Sequence, residues 1–170
     1  MQRVRRNHEA HLKAGKVRIS ARAMAAMNNE LCRFPDWETG GLLLGYFRTE
    51  GEIFVLEATD GGYQNTVHEP DCFQYDVAYE DHLCEILSGL YRPPLELVGL
   101  WHKHNERSDP PFSNADENMH RQLLEGTSDP GLSILFEKLG EKNYGLRVFL
   151  LSQSGAHTDV TDDTILEEEK

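Results

Sequence analysis

Gly99-Leu-Trp-His-Lys-His-Asn-Glu-Arg-Ser-Asp-Pro-Pro-Phe-Ser-Asn-Ala-Asp116 is the stretch that orders the rest of this chain. Leu95, Leu97, Val98, Leu100 and Trp101 read as a strand running into His102 and His104. Strand side chains alternate between faces, so residues two apart share a face and both imidazoles point the same way. That spacing suits two ligands of one metal ion. The loop 105–112 then returns the chain to Ser113-x-x-Asp116, a capping-box-like start for a helix over about 114–125. Asp116 lies in the first turn of that helix, where it can supply a third ligand. Two His and one carboxylate around Zn²⁺ leave the fourth tetrahedral position to water, the arrangement of a catalytic site. A His pair on a strand is by itself often only satisfied or solvated, and Ser113-x-x-Asp116 is a sound helix cap whatever else it does. Capping and ligation are compatible.

Upstream of this stretch, Ser20 caps a helix expected over 21–33, where Met24, Met27 and Leu31 recur at helical spacing and Pro35 ends the run. Leu42 to Phe47 and the run around Ile53 and Val55 read as a hairpin of strands. Residues 60–75, with Gly61, Gly62, Asn65 and Pro70, read as loop. A second helix is expected over 76–91, because Val77, Leu83, Ile86, Leu87 and Leu90 share a face, and Pro93 and Pro94 end it. Downstream, Leu132 to Phe136 and Leu146 to Leu151 read as two strands around a turn at Gly140 to Asn143. The order predicts a mixed α/β (α+β) domain with a central β-sheet flanked by helices.

The chain has 170 residues, with 39% hydrophobic and 27% charged. That is ordinary globular usage, enough for one core without staples. The formal charge is −12, so the surface repels phosphate backbones, and nucleic acid is not an expected partner. Basic residues crowd the beginning and acidic ones the end. The expected organisation is a basic tail over 1–15, one domain over 16–152 and an acidic tail over 153–170. Cys32, Cys72 and Cys84 show no C-x-x-C spacing, which points to a reducing cytoplasmic setting instead of a disulfide framework. No apolar run approaches a membrane span, and no membrane association is expected.

A second motif, Glu38-Thr-Gly-Gly-Leu-Leu-Leu-Gly45, precedes the first. Taken in order, Glu38 with these glycines, His102-x-His104 and, eight residues on, Ser113-x-x-Asp116 closely resemble the JAMM motif of the JAB/MPN metalloproteases. The resemblance spans residues 16–152 and is strongest to the small prokaryotic JAB-domain deubiquitinase-like proteins. It implies the MPN/JAB fold and one Zn²⁺ per chain, held by His102, His104 and Asp116. It further implies Glu38 as general base toward a metal-activated water and Ser113 as donor to the oxyanion. Family members often read H-S-H-P, where this chain carries Lys103 and Asn105. No covalent acyl-enzyme is needed, so Cys72 and Cys84 are not expected to act as nucleophiles.

The implied reaction is hydrolysis after the C-terminal glycine of a ubiquitin-like protein or its conjugates. Trimming of a sulfur-carrier protein is a related reading of the same chemistry. A non-catalytic MPN scaffold for protein docking is the non-enzymatic alternative, disfavoured because all five groups are kept. Other metal motifs fit less well. A metallo-β-lactamase-like H-x-H-x-D-H would need Asp and His where Glu106 and Arg107 stand. The P-C-x-x-C of zinc deaminases is missing, and a non-haem iron site leaves Glu38 unexplained. His8 and His11 are three apart, not the four of H-E-x-x-H. His68, Phe73 and Tyr75 are candidate substrate contacts from the loop before the second helix. Glu106 and Asp109 are the next candidates for a base after Glu38.

Overall fold

Ser20 accepts a hydrogen bond from the Ala23 amide (3.0 Å), satisfying one of the orphan donors at a helix start. The helix that follows buries Ala23, Met27 and Leu31. A computed structural model describes residues 16–48, 51–126, 130–141 and 143–168. Its elements in chain order are β1 (Val17–Ile19), α1 (Ala21–Arg33), β2 (Thr39–Phe47), β3 (Ile53–Ala58), β4 (Val67–Glu69), β5 (Cys72–Gln74) and α2 (Val77–Gly89). They continue with β6 (Glu96–His104), α3 (Asn114–Gly126), β7 (Gly131–Gly140), β8 (Asn143–Leu151), β9 (His157–Asp159) and β10 (Thr164–Leu166).

Eight strands form one large curled, mixed sheet in the order β10-β1-β3-β2-β6-β7-β8-β9, and β4 pairs with β5 as a separate hairpin. The sheet is buried on both faces. On one side Val17, Met27, Leu31, Trp101, Phe136 and Val148 pack beneath α1. On the other, Leu100, Phe112, Leu123, Leu124, Leu135 and Phe149 pack beneath α3. The expected class, α and β mixed with helices around a central sheet, is what the chain adopts.

The run from Leu95 to Trp101 does not alternate cleanly, and the reason is a bulge. Leu43 pairs with Gly99 while Leu44 pairs with Leu97, which leaves Val98 as the extra residue. A bulge inserts one residue and resets which face follows. Leu97 and Leu100 therefore both face α3, whereas Val98 and Trp101 face α1. From there the alternation is regular, with His102 and His104 on the α3 side and Lys103 on the α1 side. β6, α3 and the parallel strand β7 then form a β-α-β crossover, the connection a parallel pair requires.

Two expectations are corrected. Residues 60–75 are not all loop, because β4 and β5 form a hairpin there. The region 153–170 is not a free acidic tail: β9 pairs with β8, β10 pairs with β1, and Val160 is buried between them. The ordered fold thus extends past residue 152, held by apolar Val160 and backbone pairing despite the acidic composition. The expected basic tail over 1–15 lies outside the described residues.

The helix α2 forms within the expected range 76–91. Its existence follows the periodicity, but its apolar stripe is not buried: Val77 is 62% exposed, Ile86 49% and Leu90 67%. The buried residue of this helix is instead Glu80, whose Oε1 accepts from the Thr59 hydroxyl at 2.8 Å while Oε2 has no partner. Burial pushes the Glu80 pKa up to about 8. The folded protein therefore keeps a proton here that the unfolded chain releases above its ordinary value near 4.5. Stability from this group is full at low pH and is lost as pH rises through about 8. Thermal melts of metal-free protein should show a lower Tm at pH 8.5 than at pH 6.5. The Glu80→Gln variant, which needs no proton to remain neutral, should lose this share of the difference. Equal pH dependence in both proteins would contradict it.

Candidate metal centre

β6 delivers His102 and His104 with their Nε2 atoms 3.1 Å apart. Asp116 faces both from α3, with Oδ1 3.3 Å from His102 Nε2 and Oδ2 3.3 Å from His104 Nε2. The helix start is built as the sequence implied. The Ser113 amide donates to Asp116 Oδ2 (2.7 Å), and the Asp116 amide donates to Ser113 Oγ (3.2 Å). This reciprocal box fixes the carboxylate at the mouth of the helix. Among the described residues, this is the group of His, Cys and carboxylate side chains that could hold a metal ion, with all ligand atoms within 4.8 Å of one another.

The donor chemistry fits a cation. The two Nε2 atoms, 3.1 Å apart, and both oxygens of the Asp116 carboxylate converge on one point, where a cation could take all three side chains as ligands. His102 is 2% exposed, and burial pushes its pKa down to about 3 against the pull of Asp116. It is a neutral donor at physiological pH. Burial would raise the Asp116 pKa, but the hydrogen bond with His104, the electrostatic interaction with the His102 ring and the hydrogen bonds with Ser113 outweigh it and hold it well below the usual carboxylate range. Burial opposes protonation of His104, yet the Asp116 carboxylate outweighs it and raises the pKa. A metal entering here competes with protonation of His104. His102 Nδ1 is buried without a partner. Packing against Phe112 and His120, with ring centroids 6.3 Å away in both cases, orients the ring instead.

Glu38 reaches the same place from a different element. It immediately precedes β2, and the antiparallel register pairs Thr39 with Lys103 and Gly40 with His102, so one step further Glu38 stands level with His104. Gly40 is required opposite His102, because a Cβ there would collide with the Trp101 carbonyl oxygen and come within 2.9 Å of the Phe73 ring. The Glu38 amide donates to the Glu69 carbonyl (2.8 Å), and His68 Nδ1 lies 3.0 Å from the Glu38 carbonyl. Burial pushes the Glu38 carboxyl up to about 7, with His104 pulling it down and Asp116 and Asp71 adding to the rise.

Glu38, His102, Ser113 and Asp116 share one cleft of about 460 Å³, which Phe73 and Tyr75 also line. Of the three candidate contact residues, Phe73 and Tyr75 line it. His68 does not, and stacks on Phe34 at 3.7 Å. Glu106 and Asp109 lie exposed in the loop after β6. Cys72 also borders the cleft, but burial and then Glu69, Glu38 and Asp71 raise its pKa. Cys84 is pushed by burial up to about 12. Neither is poised as a thiolate nucleophile. A cavity of about 500 Å³ on the other side of α3, bordered by Phe112, His120 and His157, holds none of the three ligands.

Two groups near the centre escaped the sequence reading. Glu137 lies opposite His104 in the parallel pairing of β6 and β7, is 1% exposed and contributes to the raised pKa of His104. Its signal was a carboxylate two positions after Leu135, directly following the apolar run Ile134-Leu135-Phe136. His120, with Nε2 3.1 Å from Ser133 Oγ, sits one helical turn after Asp116 and could have been found by that spacing.

No protein-family model and no curated protein matches the chain. Among solved structures it is similar to the solution structure of protein DSY2949 from Desulfitobacterium hafniense, with 16% identity and a TM-score of 0.64, over 90% of this chain and 94% of that one. At such identity the likeness concerns the fold alone. No helix of the described residues is long and apolar enough to cross a membrane.

Proposed function

We propose that this chain is a zinc-dependent amide hydrolase of the JAB/MPN metalloprotease type, cleaving after the C-terminal glycine of a ubiquitin-like protein. The observation that carries this reading is the arrival of Glu38, from the start of β2, in the cleft that His102 and Asp116 also line, one step beyond the Thr39–Lys103 pair and so level with His104. A structural metal site needs ligands and no further carboxylate. A hydrolytic one needs a base beside an open position.

His102, His104 and Asp116 would hold the zinc, which when bound supplies Lewis-acid polarisation and lowers the pKa of water toward ~7. Glu38 takes a proton from the attacking water at a carboxylate oxygen. It gives that proton to the departing amine nitrogen as the C–N bond breaks, so one water is consumed and a carboxylate and an amine result. Ser113 Oγ already accepts from the Asp116 amide, which leaves its hydroxyl hydrogen free to donate to the developing oxyanion. The cleft runs between β5 and α3, with Gln74, Tyr75, Met119 and Gln122 on its walls. β5 pairs only with β4 among the described residues, so its other edge can accept an extended tail as an added strand.

The test is incubation of the zinc-loaded protein with ubiquitin-like and sulfur-carrier proteins bearing extensions beyond their terminal glycines, read by mass spectrometry. Cleavage after the glycine is expected, and chelation should abolish it. A folded, zinc-loaded protein that cleaves none of them would overturn the reading in favour of a docking scaffold. The charge of −12 adds a second expectation. Basic substrate tails should be steered to this surface, so kcat/KM should fall about threefold or more between low and physiological salt while kcat changes little. Salt-independent kcat/KM on a confirmed substrate would remove steering from the account.

A further inference from the structure

Lys103 lies between the two histidines on β6 and points to the opposite face of the sheet. It is 0% exposed, yet it forms no ion pair among the described residues. Its amine donates to the carbonyl oxygens of Phe34 (2.6 Å) and Pro35 (3.1 Å), and it lies 5.7 Å from the Tyr144 ring centroid. Placing an ammonium in the interior is costly, and an apolar side chain of the same length would pack at lower cost. What an apolar residue could not do is tie down two carbonyls.

Those carbonyls belong to the turn that leads from α1 to Glu38. The same turn is held at two further points. Lys138 Nζ donates to the Pro35 carbonyl (3.0 Å) and to Asp36 Oδ1 (2.7 Å). Asn105 Nδ2 donates to the Asp36 carbonyl (2.9 Å) and to the Pro70 carbonyl (2.5 Å). Every one of these tethers starts from the strands that carry or flank the histidines: Lys103 on β6, Asn105 immediately after it and Lys138 on β7. The strand that presents two of the metal donors therefore also fixes the backbone that presents the base.

We propose that Lys103 is a positioning residue, which acts through the backbone of residues 34–37 to hold the Glu38 carboxylate in register with the His102, His104 and Asp116 donors. This rests on the role given to Glu38 above. Lys103 touches neither substrate nor metal. Its charge also pulls weakly on the Glu38 carboxylate, but its main effect on the reaction passes through the placement of Glu38, and displacement of a reacting group by about 1 Å can cost ~10²-fold in rate.

The experiment compares Lys103→Met, Glu38→Gln and the double variant with wild type. Zinc stoichiometry and affinity, hydrolysis of a ubiquitin-like fusion, and amide hydrogen exchange at Glu38 and Thr39 in metal-free protein are read in each. Lys103→Met should keep the zinc, exchange the Glu38 and Thr39 amides faster and lose about 10–100-fold in kcat at unchanged KM. In the Glu38→Gln background the same substitution should cost nothing further, because a residue acting only through Glu38 has no effect once the base is gone. Wild-type kcat and exchange in Lys103→Met would overturn the proposal. So would an equal loss in both backgrounds, the mark of a general structural role. If Lys103→Met fails to fold, Lys138→Met carries the comparison from the surface, with a smaller loss showing the same dependence on Glu38. Should Glu38→Gln itself hydrolyse at the wild-type rate, the catalytic reading of Glu38 fails, and the exchange rates still decide whether Lys103 holds the turn.

Discussion

Glu38→Gln is expected to fold normally, to bind zinc as the wild type does and to hydrolyse its substrate about 10²–10⁴-fold more slowly, the usual worth of a general base. The amide reproduces the shape of the carboxylate and cannot accept the water's proton. The wild-type rate should also show an acidic limb that the variant lacks, since Glu38 must be ionised to act. In the metal-free protein burial holds its carboxyl at about 7. A cation on the neighbouring donors favours the ionised form, so with zinc bound the limb lies below that value. The measurement is a pH profile of kcat/KM for both proteins at full zinc occupancy. A wild-type rate in the variant would move the search for a base to Glu106 or Asp109.

Removal of a ligand should have the larger effect on composition. Wild-type protein is expected to carry one zinc per chain, and His102→Ala and Asp116→Ala to lose it. Changes one layer outside a metal's ligands typically cost ~10–100-fold in affinity, and removing a direct ligand should exceed that. Asp116 has a second role, because its Oδ2 accepts from the Ser113 amide. The Ala variant therefore also weakens the helix start, because it removes one half of the capping box. Asp116→Asn separates the two effects, since its amide oxygen can still accept from Ser113 while the anionic ligand is gone. Elemental analysis beside circular dichroism reads both quantities. Correctly folded wild type that takes up no zinc when zinc is supplied would sink the metal-centre reading.

The parts of this fold that could be read from the chain are those whose causes are local. A strand ending in His-x-His, a proline loop and a capping box lie within one short segment, and β6 and α3 form there with the donors converging. The misread parts depend on partners distant in sequence. β4, β5, β9 and β10 are three residues each, too short to display a period, and exist because a neighbouring edge accepts them. For α2 the periodicity was real, but a stripe of Val77, Ile86 and Leu90 says only that the helix has an apolar side, not that anything covers it. Lys103 and Glu137 were invisible for a related reason. Each is a charged residue in a strand that carries an apolar run, and only the fold shows what each faces.

The three metal donors all come from residues 102–116, whereas Glu38 comes from far upstream and meets them across the β2–β6 pairing. Chelation by so short a segment closes a small loop, which costs little chain entropy. Bound metal therefore reinforces the contact between β6 and α3 and does nothing directly for the edge where β2 docks. A chain whose β2 entry has frayed can remain fully loaded while lacking its base. Metal content thus counts assembled β6–α3 units, and the fraction of competent molecules has to be titrated through Glu38 instead.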